Sequence, residues 1–256
     1  MKITLIGSGN VANYLATTLH SHGHSINEVF SRNSKTGRAL AKKAKSKFIA
    51  SSSNLQLNSD AYIIAVNDDE IESVAKTISL KNKLVIHTSG ATALNSIKKC
   101  SSQYGVVYPL ISITKNNKLL PANYTVCIEA NNTTALKKCK QLAKCLSNKI
   151  IEVNSMKREA LHLSAVMVNN FGNHLFAQAD KLLTQNKLEL DLLYPIINQT
   201  ADRIQKESPA NLQTGPAIRN DKTVMKKHLQ IISKNKLLSS LYKSFSKSIF
   251  EFNKKK

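Results

Sequence analysis

The sequence predicts an α/β domain with a mostly parallel sheet, followed by an all-helical domain. Three observations predict it. Short β-rich apolar runs alternate with helical patterns through the first half, a glycine-rich turn follows the first of those runs, and after residue 153 the strand signals stop. Strand, helix, strand in steady alternation requires right-handed crossovers between parallel strands. The boundary is therefore placed between a sheet domain at 1–153 and a helical domain at 154–256.

Taken in order, residues 2–6 (Lys-Ile-Thr-Leu-Ile) form an apolar strand, and 11–20 carry helical periodicity that stops at Gly23. A strand at 26–31, a helix at 36–45 and a short strand near 47–50 follow. Residues 61–66 are apolar enough for a strand buried on both faces. A helix at 71–78, a strand at 84–87, a helix at 94–100 and a strand at 106–108 continue the alternation. Strands at 125–129 and 149–153 bracket a helix at 134–146. Beyond them, 155–186 reads as one long helix with Gly172 at its middle, and 188–206, 221–234 and 237–252 are helical too.

With 42% hydrophobic and 21% charged residues, the composition is that of an ordinary soluble globular protein. No apolar run approaches the roughly 18 residues needed to cross a bilayer. The N-terminal apolar stretch covers only residues 3–6, too short for a signal peptide, so a cytoplasmic location is expected. Cys100, Cys127, Cys139 and Cys145 form no C-x-x-C pair and have no histidine at zinc-ligand spacing, so buried reduced thiols and no metal are expected. The formal net charge of +21 permits an acidic partner. The lysines are nevertheless spread along the chain, the tight run being Lys254-Lys255-Lys256, and no nucleic-acid module accompanies them. A nucleic-acid function is not expected.

The first strand runs into Gly7-Ser8-Gly9-Asn10-Val11-Ala12, a G-x-G-x-x-A fingerprint between a strand and a helix, as in a Rossmann-type dinucleotide site. Gly7 turns the chain, Gly9 clears the approach of a pyrophosphate, and Ala12 lets the helix pack on the sheet. The N–H groups at the helix start then face the phosphates. The residues expected to touch the adenosine ribose are Ser31, Arg32 and Asn33. Proteins that bind NAD place an acid there on the 2′-hydroxyl, and this segment has none. Arg32 instead offers a guanidinium fork suited to a 2′-phosphate, with Ser31 and Asn33 as further donors, so NADP(H) is expected. The competing view makes Arg32 one more solvated base in a basic protein.

Ligands of open α/β sheets sit beyond the carboxyl ends of the strands. Val66 and Asn67 are expected beside the second ribose and nicotinamide, with His87-Thr88-Ser89-Gly90 offering hydroxyls to a substrate. His87 reads equally as a core histidine or a catalytic one. On the long helix, taken as starting near an N-cap at Ser155, His162, Asn169 and Asn173 fall within about 20° of one line at about 100° per residue. Buried amides need partners. Either these side chains join an interhelical network, or they face the nicotinamide with His162 as a general acid. In the loop 213–221, Arg219 and Asp221 either anchor a polar substrate or simply close a salt-bridged cap on the following helix.

The fingerprint at 7–12, Ser-Arg-Asn at 31–33, His-Thr-Ser-Gly-Ala at 87–91 and Tyr-Pro-Leu at 108–110 together resemble one bacterial family. Leu-His-Leu-Ser-Ala-Val at 161–166, Asn-Asn-Phe at 169–171 and Gln-Thr-Gly-Pro-Ala-Ile-Arg-Asn-Asp at 213–221 extend the likeness over the whole chain. In that family a Rossmann-like domain precedes a helical domain of unknown function. Its relatives include pyrroline-5-carboxylate reductase, ketopantoate reductase, the β-hydroxyacid dehydrogenases and the deazaflavin-dependent NADP reductases. The resemblance implies NADP binding and a helical domain that forms a homodimer. It supplies no substrate, and the Lys-then-Asn pattern of the β-hydroxyacid dehydrogenases does not appear cleanly. The expected function is hydride transfer between NADP(H) and a small polar carbonyl, imine or hydroxy compound. His162 would donate the proton, Asn169 and Asn173 would orient it, and Ser89 and Arg219 would hold the substrate. The alternative is a catalytically silent NADP-binding sensor or scaffold.

Overall fold

The computed structural model describes residues 1–115, 121 and 123–254. The lysine run at the tail therefore falls partly outside it, since Lys255 and Lys256 lie beyond the described residues. The apolar runs become eight strands: β1 (Lys2–Ile6), β2 (Ser25–Phe30), β3 (Lys47–Ile49), β4 (Ala61–Ile64), β5 (Leu84–His87), β6 (Gln103–Pro109), β7 (Thr125–Ala130) and β8 (Lys149–Glu152). They form one sheet in the order β3-β2-β1-β4-β5-β6-β7-β8. Neighbours are parallel except β6 and β7, which are antiparallel. In register, Ile3 lies opposite Ile26 on one side and Ala61 on the other.

Period-2 alternation divides the strands between two covered faces. Ile3, Leu5, Ile63 and Ile86 pack on one side with Leu15, Leu19, Leu40, Cys139 and Leu142. Those residues come from α1 (Asn10–Ser21), α2 (Ser34–Lys43) and, after α3 (Ile71–Lys76), α4 (Thr133–Lys144). Ile6, Tyr62, Ile64 and Val85 pack on the other side with Ile71, Val74 and Ile97. Burial on both faces is why the central strands read as continuous apolar runs. The four cysteines are free thiols, three of them buried. Burial pushes the Cys139 thiol up to about 12 and that of Cys100 to about 11.

Three expectations are corrected. The helix expected at 94–100 is a single 3₁₀ turn, Leu94–Ile97, anchored by buried Ile97. The long helix opens at Asn154, whose side chain accepts the Lys157 N–H, rather than at Ser155. It is also not continuous: α5 (Ser155–Ala165) passes into a π-helical stretch, Val166–Phe171, before α6 (Gly172–Gln185). A turn closed i→i+5 takes up more residues than an α turn. The helical wheel used for Asn169 and Asn173 therefore loses its phase beyond Val166.

The chain divides into two compact units, Met1–Asn170 and Phe171–Lys256, so α5 belongs with the sheet. The second unit holds α6, α7 (Tyr194–Arg203), α8 (Lys222–Ile231) and α9 (Lys236–Lys254). Among its described residues only Ala217 and Ile232 are buried apolar side chains. No helix among the described residues is long and apolar enough to cross a membrane.

Candidate active site

The carboxyl ends of β1, β2 and β4 open into a cleft of 1620 Å³. Gly7, Ser8, Gly9, Asn10, Val11, Ser31, Arg32, Asn33, Val66 and Asn67 all line it. The two fingerprint glycines do different work. Gly7 has φ +118°, donates its N–H to the Phe30 carbonyl at 2.8 Å, and would set a Cβ 2.2 Å from the Ala65 oxygen. The fold itself requires glycine there. Gly9 has φ −74° and ψ −171°, an extended backbone any residue adopts, and a Cβ there would meet nothing within 4 Å. Packing within the protein does not require a glycine at position 9, and the space its missing side chain leaves is open to a ligand.

The start of α1 fits the same ligand. Its first turn carries no acid and no side chain caps it, leaving its first N–H groups free for an anion. Asn13 steadies the turn by donating to the carbonyls of Ser8 at 3.1 Å and Gly9 at 3.0 Å. Asn10 donates to the Ile113 carbonyl at 3.3 Å, tying the helix start to the segment after β6.

At the β2 end of the cleft, buried Ser31 shares a hydrogen bond with Ser8 at 2.8 Å, and Ser8 shares another with Thr36 at 2.7 Å. Asn33 caps α2 by accepting the Thr36 N–H at 3.1 Å. Arg32 is exposed and ion-paired with Glu70. The sequence gives no acid near Arg32, because Glu70 comes from the turn after β4, on the far side of β1. Strand order alone brings the two together.

A second group of polar residues gathers at the ends of β5 and β6. Arg158 of α5 is fully buried. Its Nη1 donates to the carbonyls of Ser89, Gly90 and Thr92 at 2.8–3.0 Å, and its Nη2 to Glu129 Oε2 at 2.9 Å and Ser155 Oγ at 3.1 Å. Ser155 donates its N–H and hydroxyl to Glu129 and accepts the Leu94 N–H at 3.0 Å. A buried ion pair is tolerable when most of its remaining donors and acceptors are satisfied, and of the guanidinium nitrogens here Nε alone lacks a partner. The knot pins the loop after β5 to α5 and β7.

His87 accepts the Ser89 N–H on Nδ1 at 3.2 Å, and its buried Nε2 has no partner. Burial, reinforced by the Arg158 charge, holds its pKa down at about 3, so the ring is neutral near pH 7. Of the two readings left open by the sequence, the core histidine is the one observed. Ser89, unlike His87, departs from its expected place. It is buried, and its Oγ accepts the N–H groups of Ala91 at 3.1 Å and Thr92 at 2.9 Å, closing a turn rather than facing a substrate.

His162 is half-buried, and its Nδ1 lies 3.0 Å from the Tyr108 hydroxyl, with the rings edge to face at 5.8 Å. A Cβ at Gly90 would fall 2.7 Å from both His162 Nδ1 and Tyr108 Cζ, so Gly90 makes this pairing sterically possible. Burial pushes the Tyr108 phenol up to about 12, and it keeps its proton at neutral pH. His162 thus bonds a strand residue rather than either asparagine. Asn169 is exposed on the π-helical stretch, and Asn173 is exposed near the start of α6. In the second unit Asp221 caps α8, accepting the Val224 N–H at 3.0 Å, which is the capping alternative rather than a free substrate anchor. Arg219 is exposed. Among the described residues, no cluster of three or more His, Cys, Asp or Glu side chains is arranged to hold a metal ion.

Sequence reasoning missed Glu70, Glu129 and the roles of Tyr108 and Arg158. The one available signal was spacing: Arg158 lies four residues before His162, placing a charge and a histidine on one helix face.

Residues 2–90 match the family described as coenzyme F420-dependent NADP oxidoreductase, and residues 124–249 match a domain of unknown function, DUF2520. A Bacteroides fragilis protein described as a candidate NADP oxidoreductase is 33% identical, with 98% of each chain covered and a TM-score of 0.89. Pyrroline-5-carboxylate reductase from Streptococcus pyogenes shares the fold at 12% identity, 98% of each chain and a TM-score of 0.65. So does an imine reductase from Myxococcus stipitatus in complex with NADP+, at 13% identity, 98% of this chain, 92% of the other and a TM-score of 0.63. No curated protein matches the sequence.

Proposed function

The chain belongs to the NADP oxidoreductase family in which a nucleotide-binding α/β domain precedes a DUF2520 domain, and on that premise we propose that it moves hydride between NADP(H) and a small polar carbonyl, imine or hydroxy compound. The observation that carries the cofactor half is Gly9: an ordinary backbone, open space where its Cβ would stand, and an uncapped helix start beside it. With the cofactor's pyrophosphate held there, its nicotinamide would supply or accept the hydride. The rest falls to this chain's residues. The α1 N–H groups hold the pyrophosphate, and Arg32 with the Ser8 and Thr36 hydroxyls faces the 2′-phosphate.

His162 is the proposed proton donor. Tyr108 is a positioning residue: in the imidazolium form that donates, Nδ1–H is given to the Tyr108 hydroxyl oxygen, so the Nε2 proton is the one transferred and a neutral ring is left. Gly90 and the Arg158 knot hold the loop that lets the pair form. Asn169 remains a proposed orienting group on the π-helical stretch, a distortion frequently found at functional sites.

NADP(H) is expected to bind at least about tenfold more tightly than NAD(H), and Arg32→Ala to remove most of that preference, a loss of about 1.5–3 kcal/mol for a charge-assisted contact. Isothermal titration with both cofactors checks it, and equal affinities in the unaltered protein would sink the 2′-phosphate assignment.

A homodimer through the helical unit completes the proposal. Leu192, Ile196, Ile231, Leu237 and Phe252 are each more than half exposed, and exposed apolar side chains in this number support a partner surface on the helical unit. Light scattering at micromolar concentration should give twice the chain mass, with an interface above about 1,000 Å². A monomeric mass would count against it.

A further inference from the structure

Among the described residues lining the cleft Glu70 is the only acid, and Arg32, Lys43 and Lys115 supply positive charge there. It is not placed by local sequence. The turn after β4 carries it across β1 to the guanidinium that extends from the end of β2. The Arg32 side chain is 67% exposed and that of Glu70 30%, so the pair stands at the mouth of the cleft, which the Ser31–Ser8–Thr36 hydroxyl chain also lines.

That position sets up a competition. A guanidinium grips a phosphate best when two N–H groups align on it, and Glu70 already holds Arg32 through Nη2. A 2′-phosphate is close to a dianion, so a carboxylate sharing the same arginine also repels it. A cofactor ending in a 2′-hydroxyl meets neither penalty. We infer that Glu70 is a specificity-determining residue: it occupies Arg32 in the free protein, yields it when NADP(H) binds, and so sets the preference for NADP(H) below what Arg32 alone would give. The inference rests on the reading of Arg32 as the 2′-phosphate ligand.

The test is titration calorimetry of NADP+ and NAD+ against the full-length protein and its Glu70→Gln, Arg32→Ala and double variants. Glutamine keeps the shape and removes the charge. Glu70→Gln should tighten NADP+ binding by about three- to tenfold and change NAD+ binding by less than about twofold. In the Arg32→Ala background the gain should shrink, because only repulsion remains to be relieved. Raising salt should narrow the difference between the unaltered protein and Glu70→Gln, as screening of exposed charges requires. If Arg32→Ala leaves the NADP+ preference intact, the cofactor reading itself is overturned. If Arg32→Ala removes the preference while Glu70→Gln leaves NADP+ affinity unchanged, only the role of Glu70 falls. A loss of affinity for both cofactors in Glu70→Gln would make the pair a clasp on the shared adenosine, and an undiminished gain in Arg32→Ala would show no competition for the arginine. Either result overturns the inference.

Discussion

Replacing Gly9 with valine is expected to abolish NADP(H) binding while leaving the fold standing. The two halves have separate physical grounds. The backbone at Gly9 is extended, so a β-branched residue adopts it without strain, and its Cβ would meet no protein atom within 4 Å. The space the valine methyls would fill is the approach a pyrophosphate must use to reach the α1 N–H groups. Losing the phosphate contacts should weaken binding by at least about 100-fold, since charge-assisted hydrogen bonds contribute about 1.5–3 kcal/mol each. Circular dichroism and thermal melting report the fold, and NADPH fluorescence reports the site. Gly7→Val makes the contrast, because its Cβ would overlap the Ala65 carbonyl at a positive φ and the fold itself should suffer. Retained cofactor binding in Gly9→Val would reduce the fingerprint to a structural turn.

Replacing His162 with alanine is expected to leave NADP(H) affinity nearly unchanged and to lower turnover by about 10²–10⁴-fold, the usual worth of a positioned general acid. Hydride transfer is followed by NADPH absorbance across a panel of carbonyl, imine and hydroxy compounds. A structural role makes a different signature. The alanine would strip the Tyr108 hydroxyl of its partner in a half-buried setting, and stability would fall by about 1–3 kcal/mol with or without cofactor. Tyr108→Phe separates the two further. It keeps the ring against Gly90 and removes only the hydrogen bond, so turnover should drop less than in His162→Ala while the cofactor still binds. Denaturant midpoints and turnover per folded molecule decide the matter. A large loss of stability with unaltered turnover would end the proton-donor assignment.

The fold class and the glycine-rich turn between β1 and α1 are legible in the residue pattern alone, because both are local. Alternating apolar runs report which segments are buried on two faces, and G-x-G-x-x-A holds its turn, its clearance and its helix start within six consecutive residues. The proposed discriminator, Arg32, likewise rests on its distance along the chain from the fingerprint. What the tertiary structure decided are the partnerships between distant residues. Glu70 reaches Arg32 only because β1 lies between β2 and β4. Tyr108 meets His162 only because α5 returns to the end of β6, with a glycine at position 90 to leave room. Arg158 lies in the first turn of α5, yet it is fully buried, holding three carbonyls of the loop after β5 and Glu129 of β7. The same limit explains the misplaced stripe. Helical periodicity assumes one rise and rotation per residue, and the π-helical stretch at Val166–Phe171 breaks that assumption between His162 and Asn173. Local pattern fixes which elements form and which backbone clearances they need; which charge finds which partner is fixed by strand order and by where each helix returns to the sheet.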